Sequence, residues 1–346
     1  MIKTDGTIIL RTNSFSVQWQ KRVIAVCCIL VFGIIALSLL HIGRGTLNFT
    51  PSQIMESLFG TSDNPTADRV IWRIRLPRLV TAIFVGASLG MAGSVFQSIS
   101  RNALGSPDII GFTTGAATGA IIQIILFNAG PLETSLAAVL SGIGAAILVF
   151  VLSLKKGSTG GYRLILTGIG VGAILSGINT VLLVVGDLDQ AASAQLWLAG
   201  SLNTRTWAHA VPAVLGFVLI VPLMIFYTRR MNFLEMGDDA ARQLGIATEK
   251  TRLMMVIAAV GLTAIATAAA GPIAFIALAA PQLVRRLTRS SDVPVISGAL
   301  MGAVLLLGAD LLSQNSPLNL KMPVGLTTGL LGGIYLLWLL GRERRI

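Results

Sequence analysis

The chain has 346 residues, 54% of them hydrophobic and only 12% charged, with a mean hydropathy of +0.80. Soluble domains carry about 25% charged residues, so this composition excludes a soluble protein and marks an all-α polytopic membrane protein. The 26 Lys and Arg outweigh 15 Asp and Glu, for a net charge of +11. In a membrane protein that excess reflects basic cytoplasmic loops rather than a nucleic-acid partner. Cys27 and Cys28 are adjacent and His41 and His209 are far apart in sequence, so neither a disulfide framework nor a metal site is indicated.

Residues 1–22 form a polar, basic segment with Lys3, Arg11, Lys21 and Arg22, expected in the cytoplasm. Residues 23–40 are apolar over spanning length. The run is long for a signal-peptide core and lacks a small-x-small cleavage site, so it reads as an uncleaved first span with its N-terminus inside. Residues 41–72 then lie outside. There Thr50 and Pro51 supply an N-cap and a first helical position, predicting a short surface helix over 52–59.

Arg69, Arg73, Arg75 and Arg78 follow within eleven residues that begin at Asp68. An arginine at the centre of a membrane helix costs about 2.5–3.5 kcal/mol, so all four belong at a membrane surface. Pro77 marks the start of the second span, 79–98, which returns inside. Ser106-Pro107-Asp108 is a helix-start signal before the third span, 109–127. Its Gly111, Gly115 and Gly119 form a small-residue ridge. The fourth span is 134–154, ending in Lys155-Lys156, and the fifth is 164–185. An outer loop, 187–206, precedes the sixth span, 207–227. The inner segment 229–252 is too polar to span. The seventh span is 253–270, and Gly271-Pro272 breaks it from an eighth that ends at Arg285-Arg286. The ninth is 294–312. The tenth is 323–340, with a second ridge of Gly325, Gly329 and Gly333, and residues 342–346 are a basic tail.

About ten transmembrane helices result, residues 23–341 forming the permeation domain and both termini being cytoplasmic. This topology puts most Lys and Arg inside, as the positive-inside rule requires. The cluster from Arg69 to Arg78 is the exception. Two readings stand: an anchor to membrane lipid headgroups, or a basic patch for an acidic partner outside.

No phosphate-binding Gly-x-x-x-x-Gly-Lys-Ser/Thr, no His-Glu-x-x-His and no serine elbow occurs, so energy for a pump would come from another chain. Asp310 is the main acid within the spans. It reads as a helix-end carboxylate bonded to local backbone; a coupling site of an ion-driven secondary carrier is the alternative. A membrane-embedded enzyme would need a cluster of polar groups within the spans, which is not seen. Segment 231–246 is amphipathic, carrying Phe233, Leu234, Met236, Leu244 and Ile246, and would offer them to a partner or to lipid.

Several stretches carry a resemblance. Arg75-Leu76-Pro77-Arg78, the run Arg-Asn-Ala-Leu-Gly-Ser-Pro over 101–107, the run Met-Gly-Asp-Asp-Ala-Ala-Arg-Gln-Leu-Gly-Ile over 236–246, and residues 271–281 and 322–333 occur in one order. Together they resemble the permease family of iron-siderophore and vitamin B12 ABC importers, from about residue 50 to the C-terminus. Residues 101–118 and 234–245 are most similar to permease subunits for ferric enterobactin and related catecholate siderophores.

The resemblance implies a type II ABC importer permease fold in the bacterial cytoplasmic (inner) membrane, with a second permease subunit, identical or paralogous. Two cytoplasmic ATPase subunits using ATP and Mg, and an extracytoplasmic binding protein that delivers a ferric siderophore, complete the assembly. The chain itself is then a non-enzyme that binds no cofactor or metal. Arg75 and Arg78 match arginines that dock the binding protein. Asn102 and Leu104 match part of the cytoplasmic gate. Leu234, Met236, Gly237, Asp238, Asp239, Ala241, Arg242, Leu244 and Gly245 match the helices that couple to the ATPase. The pattern departs at Ala103, where proline is usual, and at Gly160 and Gly161, where a second gate pair falls. It departs again at Gln282, in place of histidine, and at Gln314, in place of a third docking arginine for which Lys321 is the nearby substitute. Vitamin B12 or haem remains the alternative cargo.

Overall fold

A computed structural model describes residues 2–4, 7–12, 15–45, 47–61, 64–154, 161–315 and 322–343. Its first elements are three short antiparallel strands, β1 (Ile2–Thr4), β2 (Thr7–Thr12) and β3 (Phe15–Gln20), in the order β1-β2-β3. The sequence reading treated this segment only as polar and basic. Every element described after it is a helix.

Helix α1 (Lys21–Gly43) is the first span. The surface helix α2 (Pro51–Phe59) starts where Thr50 and Gln53 form a reciprocal capping box. The next rod starts twelve residues before the expected Pro77. Asn64 caps Thr66 and Ala67, Pro65 occupies the first turn of α3 (Pro65–Val70), and a π-helical turn (Ile71–Arg75) leads into α4 (Leu76–Ser100). Proline near a helix start needs no backbone donor. The wide turn just ahead of it lets the helix run on, so Pro77 marks a change of winding rather than a beginning.

A 3-10 turn (Pro107–Ile110) precedes α5 (Phe112–Phe127), followed by α6 (Pro131–Ser153) and α7 (Gly161–Val185). The expected outer loop contains a further helix, α8 (Leu188–Leu198), begun by an Asp187/Gln190 capping box. Helix α9 (Trp207–Glu235) carries the sixth span without a break into the polar segment, and short α10 (Asp238–Gln243) follows. Then come α11 (Thr248–Ala270), α12 (Ile276–Thr288), α13 (Val295–Gln314) and α14 (Val324–Glu343). Among the described residues, seven helical stretches are long and apolar enough to cross a membrane, and α5 and part of α14 are shorter apolar helices. With α12 they account for the ten expected spans.

At 1.5 Å per residue the 13 residues of α12 reach about 20 Å, short of a ~30 Å hydrocarbon core. Residues 271–275, which are not helical, lead into α12. Phe275 there has φ +71, and its ring lies where a Cβ on Gly332 of α14 would be.

The centre of the bundle is α4, packed against α13, α11, α12 and α9. Its seam with α13 is glycine on glycine. A Cβ on Gly86 or Gly90 would run into backbone of Gly302 or Gly298 of α13, the close approach that small residues permit in lipid. Gly115 lies as close to the Ala145 methyl, and Gly119 to the Ala137 carbonyl, of α6, as the first ridge predicted. Gly111 instead lies in the left-handed turn that starts α5. The second expected ridge dissolves: Gly325 abuts the backbone of Ala199, but Gly329 and Gly333 face open space in this chain.

Candidate functional site

Two charged constructions stand at opposite ends of α4. At its N-terminal end, the Arg75 guanidinium donates to the backbone carbonyls of Ile42 and Leu47 and lies 4.8 Å from the centre of the Phe49 ring. Arg78 makes a bidentate pair with Asp310 of α13, Nε to Oδ2 at 2.9 Å and Nη2 to Oδ1 at 2.6 Å. Gln314 Nε2 donates to the same Oδ2 at 3.0 Å, and His41 Nδ1 of α1 stands 3.7 Å away. Asp310 has no exposed surface. The carboxylate expected to bond local backbone is instead the shared acceptor of side chains from α4 and α13. Arg75 and Arg78, matched to docking arginines, both have partners inside the chain. The exposed cations beside them are Arg69 and Arg73, which motif matching passed over. Lys321 lies outside the described residues.

Trp72 Nε1 donates to Ser57 O at 3.1 Å, and Trp207 Nε1 to Trp72 O at 2.9 Å. These bonds fasten the arginine-bearing turn to α2 and to the start of α9.

At the other end, α4 stops with Arg101 in the left-handed region, φ 47. The turn over 101–105 is closed by its own bonds. Asn102 N–H donates to Gln97 O, Gly105 N–H to Asn102 O, and Leu104 N–H to Asn102 Oδ1 at 2.9 Å. Leu104 is about half exposed. Gln282 Nε2 of α12 donates to Ala103 O at 2.6 Å, so the residue left without a role from sequence holds this turn. Behind the turn opens a cleft of about 450 Å³ bordered by Gln97, Asn102, Gln282 and Arg285. Gly160 of the second matched gate pair lies outside the described residues, and Gly161 begins α7.

From the same turn, Arg101 Nη2 reaches Leu234 O at 3.0 Å and Asp238 Oδ1 at 2.6 Å. The other Asp238 oxygen accepts from Arg252 of α11 at 2.9 Å, and Arg252 also pairs with Glu249 at 2.7 Å. Burial by itself would raise the Asp238 carboxyl. The Arg252 hydrogen bond and the charges of Arg252, Arg101 and Arg242 outweigh it and hold the group below the usual carboxylate value. Arg285 of α12 pairs with Glu235 at 2.6 Å.

The segment 234–245 divides into two faces. Leu234 and Ala241 are buried against the bundle. Met236, Asp239, Arg242 and Leu244 are exposed, together with Phe233. Gly237, φ +120, and Gly245, φ +77, make the corners at either end of α10, where a side chain would be strained. The exposed side is thus an apolar pair, Met236 and Leu244, flanked by both signs of charge.

Residues 29–342 match the model of a family described as the FecCD transport family. The chain is 42% identical over 326 residues to the ferric enterobactin transport system permease protein FepG of Escherichia coli (strain K12), covering 94% of this chain and 98% of that one. It is 36% identical over 279 residues to the Fe(3+) dicitrate transport system permease protein FecD of the same strain, covering 80% of this chain and 86% of that one. A solved structure described as an inward-facing ABC transporter of the metal-chelate type is 26% identical. It superposes with a TM-score of 0.82 over 92% of this chain and 99% of its own.

Proposed function

The chain belongs to the FecCD transport family, and on that premise we propose that it is a permease subunit of an ATP-driven importer for a ferric siderophore of the catecholate type. The observation that carries the cargo is the 42% identity, over nearly the whole of both chains, to a permease for ferric enterobactin. The chain sits in a bacterial inner membrane with both termini and the Arg101 end in the cytoplasm, and the Arg78 end outside. It pairs with a second permease subunit. Two ATPase subunits seat on the exposed face of 233–245, and a loaded binding protein docks on the arginine-rich outer end.

The division of labour at the outer end follows from burial. Arg69 and Arg73 reach solvent and meet acidic groups of the binding protein; Arg75 and Arg78 hold the segment that presents them. At the inner end the turn of Asn102 and Leu104 is the gate. ATP binding and hydrolysis shift the balance between inward- and outward-open states, and the permease contributes the differential contacts of each state.

Radioiron uptake from purified ferric siderophores, in cells with and without the chain, tests this reading. Loss confined to catecholate chelates, restored by the chain, is the expected result. Loss confined to ferric citrate would reassign the cargo, as would unchanged radioiron uptake together with loss of haem or of cobalt-labelled vitamin B12 uptake. Uptake that survives ATP depletion but fails with a collapsed ion gradient would favour a secondary carrier. The engagement of both Asp310 oxygens by Arg78 and Gln314 weighs against that, because a coupling carboxylate must be free to take up and release its ion.

A further inference from the structure

The turn at 101–105 has the construction of a small rigid body. Three backbone donors, those of Asn102, Leu104 and Gly105, are satisfied within the turn and the last residues of α4. Beside it lies open volume rather than packed side chains. Asn102 N–H on Gln97 O, Arg101 N–H on Ser98 O and the close packing of Gly105 on Phe96 and Gln97 fasten the turn to the end of α4, so a pull on the turn moves it together with that end, into the open volume beside it.

Two side-chain attachments reach it from different helices. Gln282 holds Ala103 O from α12. Arg101 extends the other way, to the Leu234 carbonyl at the end of α9 and to Asp238 in the first turn of α10. Those two acceptors flank Met236 and Gly237, the corner between α9 and α10. Asp238 is divided between two arginines. One, Arg101, belongs to the turn; the other, Arg252, is 5% exposed and pinned to α11 by Glu249. Moving α10 away from α11 therefore loosens the Arg252 contact and leaves Asp238 held to Arg101. The charge-assisted bond at 2.6 Å is the shorter of the two.

We propose that Arg101, held by Asp238 and the Leu234 carbonyl, is the positioning residue that transmits displacement of the 234–245 segment to the gate turn. This rests on the proposed function. It adds which side chain carries the coupling, and it assigns Asp238 to the link rather than to the surface offered to the ATPase.

The test uses the full transporter in lipid nanodiscs, with Leu104→Cys as reporter in a Cys27→Ser/Cys28→Ser background. The readout is the rate of labelling by a water-soluble maleimide, with and without ATP and vanadate. The parent is expected to change its labelling rate about fivefold or more between the two conditions. Arg101→Met and Asp238→Asn should each abolish that change while the complex still assembles and hydrolyses ATP. Arg101→Lys, which keeps the charge and a donor, should retain most of it. The Arg101→Met/Asp238→Asn double variant should be no worse than either single one, as for two ends of one link.

A full ATP-dependent change in Arg101→Met or in Asp238→Asn overturns the proposal. A structural defect is recognised separately, because Arg101→Lys would fail with Arg101→Met and the complex would not assemble; that outcome also overturns a transmitting role. Failure of the functional reading looks different again: the wild-type complex, reconstituted in proteoliposomes, would show no ATP-dependent uptake of a ferric siderophore, whatever stands at position 101.

Discussion

Arg78 shows how far one residue can be read from its neighbours in sequence. Its motif and its place in a basic cluster were legible and pointed outward. Its partner, Asp310, is 232 positions away, and no local pattern announces a pairing across two helices. The energetics favour the inward role. An exposed pair with an acidic partner is worth about 0–1 kcal/mol. Removing one member of a buried pair costs about 3–5 kcal/mol, because the other charge is left uncompensated. In this structure Arg78 is held by a carboxylate that has no access to solvent. Arg78→Ala should therefore destabilise the chain by about 3–5 kcal/mol, and Arg78→Met/Asp310→Leu, which removes both charges, should recover much of that. Thermal unfolding in detergent measures it. An unchanged melting temperature in Arg78→Ala, with loss of binding-protein docking, would return Arg78 to the outer surface.

At the scale of elements the ten spans were legible because each rests on a local signal: length of the apolar run, a capping residue, a proline or a glycine break. The extra helix over Leu188–Leu198 had its signal too, in Asp187 and Gln190, but its mixed polarity made a loop the simpler reading. What spacing cannot give is the neighbour. Gly325, Gly329 and Gly333 repeat as regularly as Gly111, Gly115 and Gly119, yet only Gly325 of the later set meets backbone in this chain. The glycine-on-glycine seam, Gly86 and Gly90 on Gly298 and Gly302, is split between two helices far apart in sequence. Ala at Gly90 or Gly302 should force α4 and α13 apart and cost at least the 1–3 kcal/mol typical of overpacking, seen as a lower melting temperature and poor yield. Ala at Gly329 or Gly333 should leave the isolated chain unchanged. If these last two also melt early, α14 packs more closely within the chain than its open glycines indicate.

The whole molecule joins two ends of unlike construction through one central helix. At the Arg101 end, charges are arranged in networks that bind segment to segment, with Asp238 between Arg101 and Arg252 and Glu235 on Arg285. At the Arg78 end the buried charges are spent on holding α4 to α13, and exposed positive charge is left at the rim. The positive-inside rule flagged that rim as anomalous from sequence alone; only the three-dimensional arrangement separates the arginines that anchor from those that project. Arg69→Glu/Arg73→Glu should leave the fold intact, since both residues are exposed. It should slow association of the loaded binding protein by about tenfold or more at low salt, because charged rims act mainly on encounter rates. The deficit should shrink as salt rises toward 1 M, where the Debye length falls to about 3 Å. Dissociation should change little, and ATP hydrolysis without the binding protein should be unaltered. Association kinetics across a salt series decide the matter. A loss that persists at high salt would mean that this rim docks by shape and apolar contact, with Trp72 and Ile74, exposed on the same turn, as the residues to examine.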